Sequence, residues 1–160
     1  MRYSKTIKIN VIAFIAAAAL APLTPALSAQ NDEIAAAVMS LAKSQWAAEI
    51  AGKSATEQMA TVADDYTEFN PVFLTRIDGK AMATRIVAVG ANEKAVFSDM
   101  QNPKVQVYGD TAILTYNFAG LVKGADGAVM PSMAKSTRVY SKLGDSWKLV
   151  HAHFSYNPAN

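Results

Sequence analysis

The run from Thr137 to Pro158, TRVYSKLGDSWKLVHAHFSYNP, constrains the fold more than any other part of the chain. Two β-forming stretches flank Gly144-Asp145, a pair that tolerates the positive φ of a tight turn, so the run reads as the closing hairpin of a sheet. Before the turn Val139 and Tyr140 mix with Thr, Arg and Ser; after it Trp147, Leu149, Val150 and Phe154 carry a heavier apolar load. A strand that apolar has to be covered on at least one face.

Upstream of the hairpin the same period of two persists. Val105 and Val107 precede Gly109-Asp110, a strongly β run extends from Ala112 to Val122, and Gly124-Ala125-Asp126-Gly127 makes the next turn. Four long strands in sequence predict a meander. The first half of the chain follows a period near 3.6 instead. Asn31 or Asp32 caps a helix with Ile34, Val38, Leu41 and Ala48 on one stripe and Trp46 beside it, and Gly52 ends it. Ser54-Ala55-Thr56-Glu57 is a capping box, which predicts a second helix carrying Met59 and Val62 and stopping near Asp64-Asp65. Tyr66 to Phe69 reads as extended, Asn70-Pro71 as a turn, and Phe73 to Ile77 as a short strand. A third helix, Lys80 to Val89, places Met82, Ile86 and Val89 on one side and closes at Gly90. Helices first and antiparallel strands afterwards predict an α+β domain, with the helices laid across one face of a bent sheet.

The first residues read as a secretory leader. Arg2, Lys5 and Lys8 form a positive segment, Val11 to Leu20 an apolar core too short to span a bilayer, and Ala26-Leu27-Ser28-Ala29 a cleavage site after Ser28 or Ala29. Residues 1–29 are thus assigned to the leader and 30–160 to one domain of ordinary size. The leader holds three of the fifteen basic residues and none of the thirteen acidic ones, so its removal leaves a net charge of −1. A nearly neutral chain has no basic stripe for a phosphate backbone, which excludes nucleic acid as an expected partner. The absence of cysteine excludes a disulfide framework and a lipid-attachment thiol. The expected location is outside the cytoplasm, in the periplasm, with no membrane contact once the leader is gone.

Asn102-Pro103-Lys104-Val105, Thr137-Arg138-Val139 and Trp147-Lys148-Leu149-Val150-His151-Ala152-His153-Phe154-Ser155 occur in an order and spacing that resemble the nuclear transport factor 2-like superfamily. More narrowly they resemble the association domain of calcium/calmodulin-dependent protein kinase II and its stand-alone bacterial, SnoaL-like relatives. The resemblance covers Trp46 to Pro158. It implies a cone, a curved antiparallel sheet wrapped around N-terminal helices, that self-associates through the convex side. It also implies a deep concave pocket, which in the kinase relatives collects arginines and binds small carboxylates. Arg138 stands where the family has one pocket arginine. Phe118 and Phe154 stand where it has two others, Asn70 replaces a glutamate, and Ala83 falls where a histidine is expected.

Strand parity puts Tyr116 with Phe118, Arg138 with Tyr140, and Val150 with Ala152 and Phe154. The expected pocket is therefore apolar with one cation, and its ligand-binding residues are Arg138, Tyr66, Asn70, Tyr116, Phe118, Tyr140 and Phe154. An arginine among β-forming residues on an inward face needs an anion or a hydrogen-bonded partner, either a ligand or a carboxylate such as Glu68. Trp46, Phe69 and Phe73 are candidates for the wall or the core. His151 and His153 alternate on one strand, and the family parity turns them away from the pocket, toward an interface or a buried hydrogen bond rather than a metal. Asp64-Asp65 reads as a solvated pair rather than an acid/base couple. No nucleophile with an adjacent base and no phosphate loop is present, so no catalytic residue, cofactor or metal is assigned.

The expected function is that of an exported, self-associating domain, at least a dimer, that holds a small apolar molecule carrying one carboxylate. Two rivals stand beside it: an isomerase, cyclase or hydratase using the same cone, and a purely structural oligomerisation module.

Overall fold

In the computed structural model of the chain, residues 24–90 and 93–157 are described, with side chains from residue 27. The charged and apolar parts of the expected leader lie outside the described residues. Helix α1 (Thr24–Ile50) starts before the expected cap at Asn31 or Asp32. Nothing between residues 26 and 33 breaks a helix, and Pro25 sits in the first turn, where its missing N–H costs nothing. Among the described residues no helix is long and apolar enough to cross a membrane.

The capping box forms as expected. The Ser54 hydroxyl accepts from the Glu57 N–H and the Glu57 carboxylate accepts from the Ser54 N–H, starting α2 (Ala55–Gln58). That helix is a single turn. Val62, expected on it, instead opens β1 (Val62–Phe69), and Asp64-Asp65 lie exposed within that strand rather than at a helix end. Pairing with a strand from the far end of the chain gives Val62 and Tyr66 a buried face that no short helix could supply. The expected strand from Phe73 to Ile77 shrinks to β2 (Ile77–Asp78), since residues 71–75 turn out into solvent and leave Leu74 fully exposed.

Helix α3 (Lys80–Val89) has the predicted bounds and ends at Gly90. Its inward stripe is shifted, however: Ala83 is buried with Ile86 and Val87 packed beside it, while Met82 and Val89 are exposed. Gly79, at φ 84, sets the entry to this helix, and its N–H donates to the Tyr66 carbonyl at 2.7 Å. A side chain there would be strained in that conformation.

The predicted meander is present as β3 (Lys94–Tyr108), β4 (Thr111–Lys123), β5 (Val129–Leu143) and β6 (Ser146–Tyr156). The six strands run in the order β2-β1-β6-β5-β4-β3. All joins are antiparallel except β1 with β6, which is parallel. A parallel join requires a long connection, and here four strands and a helix supply it.

Irregular register at Gln101/Lys104, where Asn102 adopts φ 48, and at Val139/Tyr140 bends the sheet into an open, curved wall. The second irregularity changes the expected parity. Leu149 rather than Val150 points inward and pairs with Tyr140, whereas Ala152 and Phe154 keep the expected inward face. Helix α1 lies in the concavity, and Val38, Ala42 and Trp46 from it meet Leu114, Tyr116, Tyr140 and Leu149 from the sheet.

Candidate functional site

Five α1 residues, Val38, Ala42, Gln45, Trp46 and Glu49, recur at helical spacing on the side facing the sheet. Two of them are polar, on a face otherwise apolar. The sheet answers with Arg138, which projects from β5 between Ser136 and Tyr140 and is only 6% exposed.

Its guanidinium donates from Nε to the Tyr116 hydroxyl at 2.9 Å and from Nη1 to Gln45 Oε1 at 2.6 Å. The Trp46 and Phe154 rings lie 5.9 and 5.6 Å from its central carbon. The ion pairs among the described residues are Lys53 with Glu57 and Arg76 with Asp78, both at the surface, so no described carboxylate lies within 4.0 Å of Arg138. Loss of hydration works against its charge, while the phenols of Tyr116 and Tyr140 outweigh that loss and hold its pKa above the ordinary arginine range. The cation is therefore buried, permanently charged and held by neutral groups.

Glu68, the alternative partner, is engaged elsewhere. The Tyr66 hydroxyl donates to its Oε2 at 2.7 Å and the Asn70 amide donates to its Oε1 at 2.9 Å. Asn70 is oriented in turn, because its own oxygen accepts from the Val72 N–H at 3.1 Å. Burial pushes the Tyr66 phenol far up, and the neighbouring Glu68 charge adds to that, so Tyr66 remains a neutral donor. The Tyr140 phenol is also pushed up by burial, against the opposing pull of Arg138.

Between α1, α3 and the concave wall lies a cavity of about 830 Å³, bounded by Gln45, Trp46, Tyr66, Glu68, Arg138 and Phe154 among others. Of the expected ligand residues, Tyr66, Asn70, Arg138 and Phe154 line it. Tyr116 stands behind Arg138 as its hydrogen-bond acceptor, and Tyr140 is buried in the core. Phe118 packs on Trp46 with ring centroids 5.5 Å apart and does not line the cavity. Phe73 reaches the cavity, and Ala83 lies in its wall where the resemblance anticipated a histidine. The wall also holds groups not anticipated from the sequence, Gln45 and Glu49 above all. Their signal was legible in principle, as polar residues in phase with Val38 and Ala42. Glu49 stands at the mouth; loss of hydration on the protein side pushes its pKa up, opposed by the Arg138 charge.

His151 and His153 lie on the opposite, convex face, as the resemblance implied. His151 Nδ1 shares a 2.8 Å hydrogen bond with the Thr67 hydroxyl, and the exposed Phe69 ring contacts both imidazoles. Among the described residues no group of three or more possible ligands could hold a metal.

A model of the calcium/calmodulin dependent protein kinase II association domain matches residues 34–158. The chain belongs to that family. Among solved structures, an S. rosetta CaMKII hub is 25% identical over 74% of this chain and 93% of its own, with a TM-score of 0.59. A candidate ketosteroid isomerase from Parabacteroides distasonis is 26% identical over 75% and 85%, with a TM-score of 0.61. A candidate dehydratase of the NTF2-like family from Streptomyces avermitilis shares the fold at a TM-score of 0.69, with 20% identity over 80% and 99%. No curated protein matches. Association domains therefore share their cone with proteins assigned to chemistry, and the residues inside this particular cone have to decide its use.

Proposed function

We propose that this association domain is exported, assembles with copies of itself through its convex face, and holds a small carboxylate-bearing molecule beside Arg138. The observation that carries the binding reading is a buried guanidinium with no described carboxylate in contact, facing a cavity large enough for a small ligand. Such a cation is costly unless an anion completes it. The fork has five N–H donors, of which Tyr116 and Gln45 take one each, so donors remain for a bidentate carboxylate. Trp46 and Phe154 supply an apolar wall for the body of the ligand. Thermal stabilisation by added monocarboxylates tests the reading, and a melting temperature indifferent to every acid would sink it.

Self-association is supported by the family, which includes the S. rosetta hub, and by the convex surface. Phe97, Leu121 and Met133 are exposed side by side there, with Phe69 exposed toward the other edge, and exposed large apolar side chains gathered on one face mark an interaction surface. Light scattering at micromolar concentration should return at least a dimer mass; a strictly monomeric mass removes the assembly claim. Export rests on the leader pattern of residues 1–29, and N-terminal sequencing of protein recovered from the periplasm checks it, a start at Ala29 or Gln30 being the expected result.

The enzymatic rival has one specific observation behind it: Glu68 shares the cavity with Arg138, so a base and an oxyanion stabiliser face one space. If that pairing is catalytic, Glu68 takes the proton next to the carbonyl of a bound ketone, and Arg138 stabilises the enolate. Deuterium would then pass from heavy water into the ketone at a rate that Glu68→Gln abolishes. Exchange no faster than in buffer leaves the binding reading standing.

A further inference from the structure

The strand register sets two opposite charges at either side of a gap. Glu68 on β1 is opposite Ala152 on β6, and Ala152 is opposite Arg138 on β5, so the three share one row across the concave face. Two strand spacings put the Cα atoms of Glu68 and Arg138 roughly 10 Å apart. The residue between them has the smallest side chain that a strand can carry at little cost, and it is fully buried. Side chains as long as glutamate and arginine, raised from one row with only a methyl group between them, would ordinarily close into an ion pair.

Here they do not. Each is drawn off by neutral groups on its own side: Tyr66 and Asn70 hold the carboxylate, while Tyr116 and Gln45 hold the guanidinium. Both charges remain incompletely satisfied, because an ionised carboxylate has about four lone-pair sites and the guanidinium five donors. Both line the same cavity. Holding a buried cation and an anion apart costs free energy that a direct pair would recover, and a ligand with complementary charges recovers it.

We infer that the ligand is a small zwitterion, an amino acid whose carboxylate meets Arg138 and whose ammonium meets Glu68 across the Ala152 gap. The inference rests on the proposed carboxylate site and specifies its occupant. It predicts discrimination against plain acids, which leave Glu68 facing apolar chain, and stronger discrimination against dicarboxylates, whose second charge would face Glu68 directly. It also explains why a single arginine suffices, since Arg138 and Glu68 set one positive charge against one negative across the Ala152 row.

Calorimetric titration with β-alanine, γ-aminobutyrate, δ-aminovalerate and ε-aminocaproate, each against its parent acid, tests it in the wild-type protein. A charge-assisted contact made by the ammonium should give the best-fitting member about tenfold tighter binding than its parent. Glu68→Gln, isosteric and still able to accept from Tyr66, should erase that difference by weakening the amino acid, while the parent acid, no longer set against a charge, binds at least as tightly as before. Equal binding of amino acid and parent in wild type overturns the zwitterion and leaves the carboxylate site intact. A preference that survives Glu68→Gln but is lost in Glu49→Gln moves the ammonium to the cavity mouth and overturns the assignment to Glu68. Failure of both series to bind removes the carboxylate site itself, and the inference with it.

Discussion

Arg138→Met is expected to abolish the rise in melting temperature that a bound carboxylate gives, because among the described residues it removes the one buried cation lining the cavity while leaving the volume filled. The fold should survive. The substitution strands the Tyr116 hydroxyl and the Gln45 carbonyl, each costing about 1–3 kcal/mol when left without a partner. Against that stands the relief of a desolvated charge, which offsets much of the loss and can exceed it. The melting temperature without ligand should therefore shift only modestly, whereas the ligand-induced shift disappears. Thermal unfolding with and without each acid separates the two effects. If Arg138→Met fails to fold, and no acid moves the wild-type melting temperature, then Arg138 is a structural member of a hydrogen-bond network with Tyr116 and Gln45, and the cavity has no anion site.

Trp46→Ala should be the most damaging single substitution for stability. Trp46 joins α1 to the sheet: its ring meets Tyr116 edge-on with centroids 5.6 Å apart, packs on Phe118 at 5.5 Å, and lies beside the Arg138 guanidinium. Removing a buried indole of this kind typically costs about 3–5 kcal/mol, from lost transfer energy and the void left behind. Ligand affinity should fall as well, since the guanidinium loses the wall that positions it. Urea unfolding monitored by circular dichroism gives the free energy. A loss near 1 kcal/mol would mean that the helix docks mainly through Val38 and Ala42 instead.

The two halves of the chain differed in how far local chemistry spoke for them. The meander was legible because Gly109-Asp110, Gly124 to Gly127 and Gly144-Asp145 cut the β-rich half at positions where few other residues turn so tightly. Helix α3 was legible from its glycine boundaries, but its buried side was misplaced. Its apolar residues cover more than half the circumference, and only docking against β1 and β2 selects Ala83 over Met82. Val62 to Asp65 was read as the end of a helix because the partner that makes it a strand, β6, lies more than eighty residues downstream. In the cavity, Arg138 stood out as a charge within a β-forming run, whereas Gln45 and Glu49, though in phase with Val38 and Ala42, were polar residues on a helix with ample exposed surface and contrasted less with their neighbours.

By itself the sequence determined the α+β class, the four long strands with their turns, the capping box at Ser54 and Glu57, and Arg138 as the residue to explain. Each of these follows from chemistry local to a few residues: side-chain period, tolerance of positive φ, or the cost of a charge among apolar neighbours. The tertiary structure alone decided the parallel join of β1 to β6, the bulge that turns Leu149 inward, and the row that sets Glu68 and Arg138 on either side of Ala152. Those depend on register between segments far apart in the chain, and register is set by how whole faces bury, which no single stretch of sequence encodes.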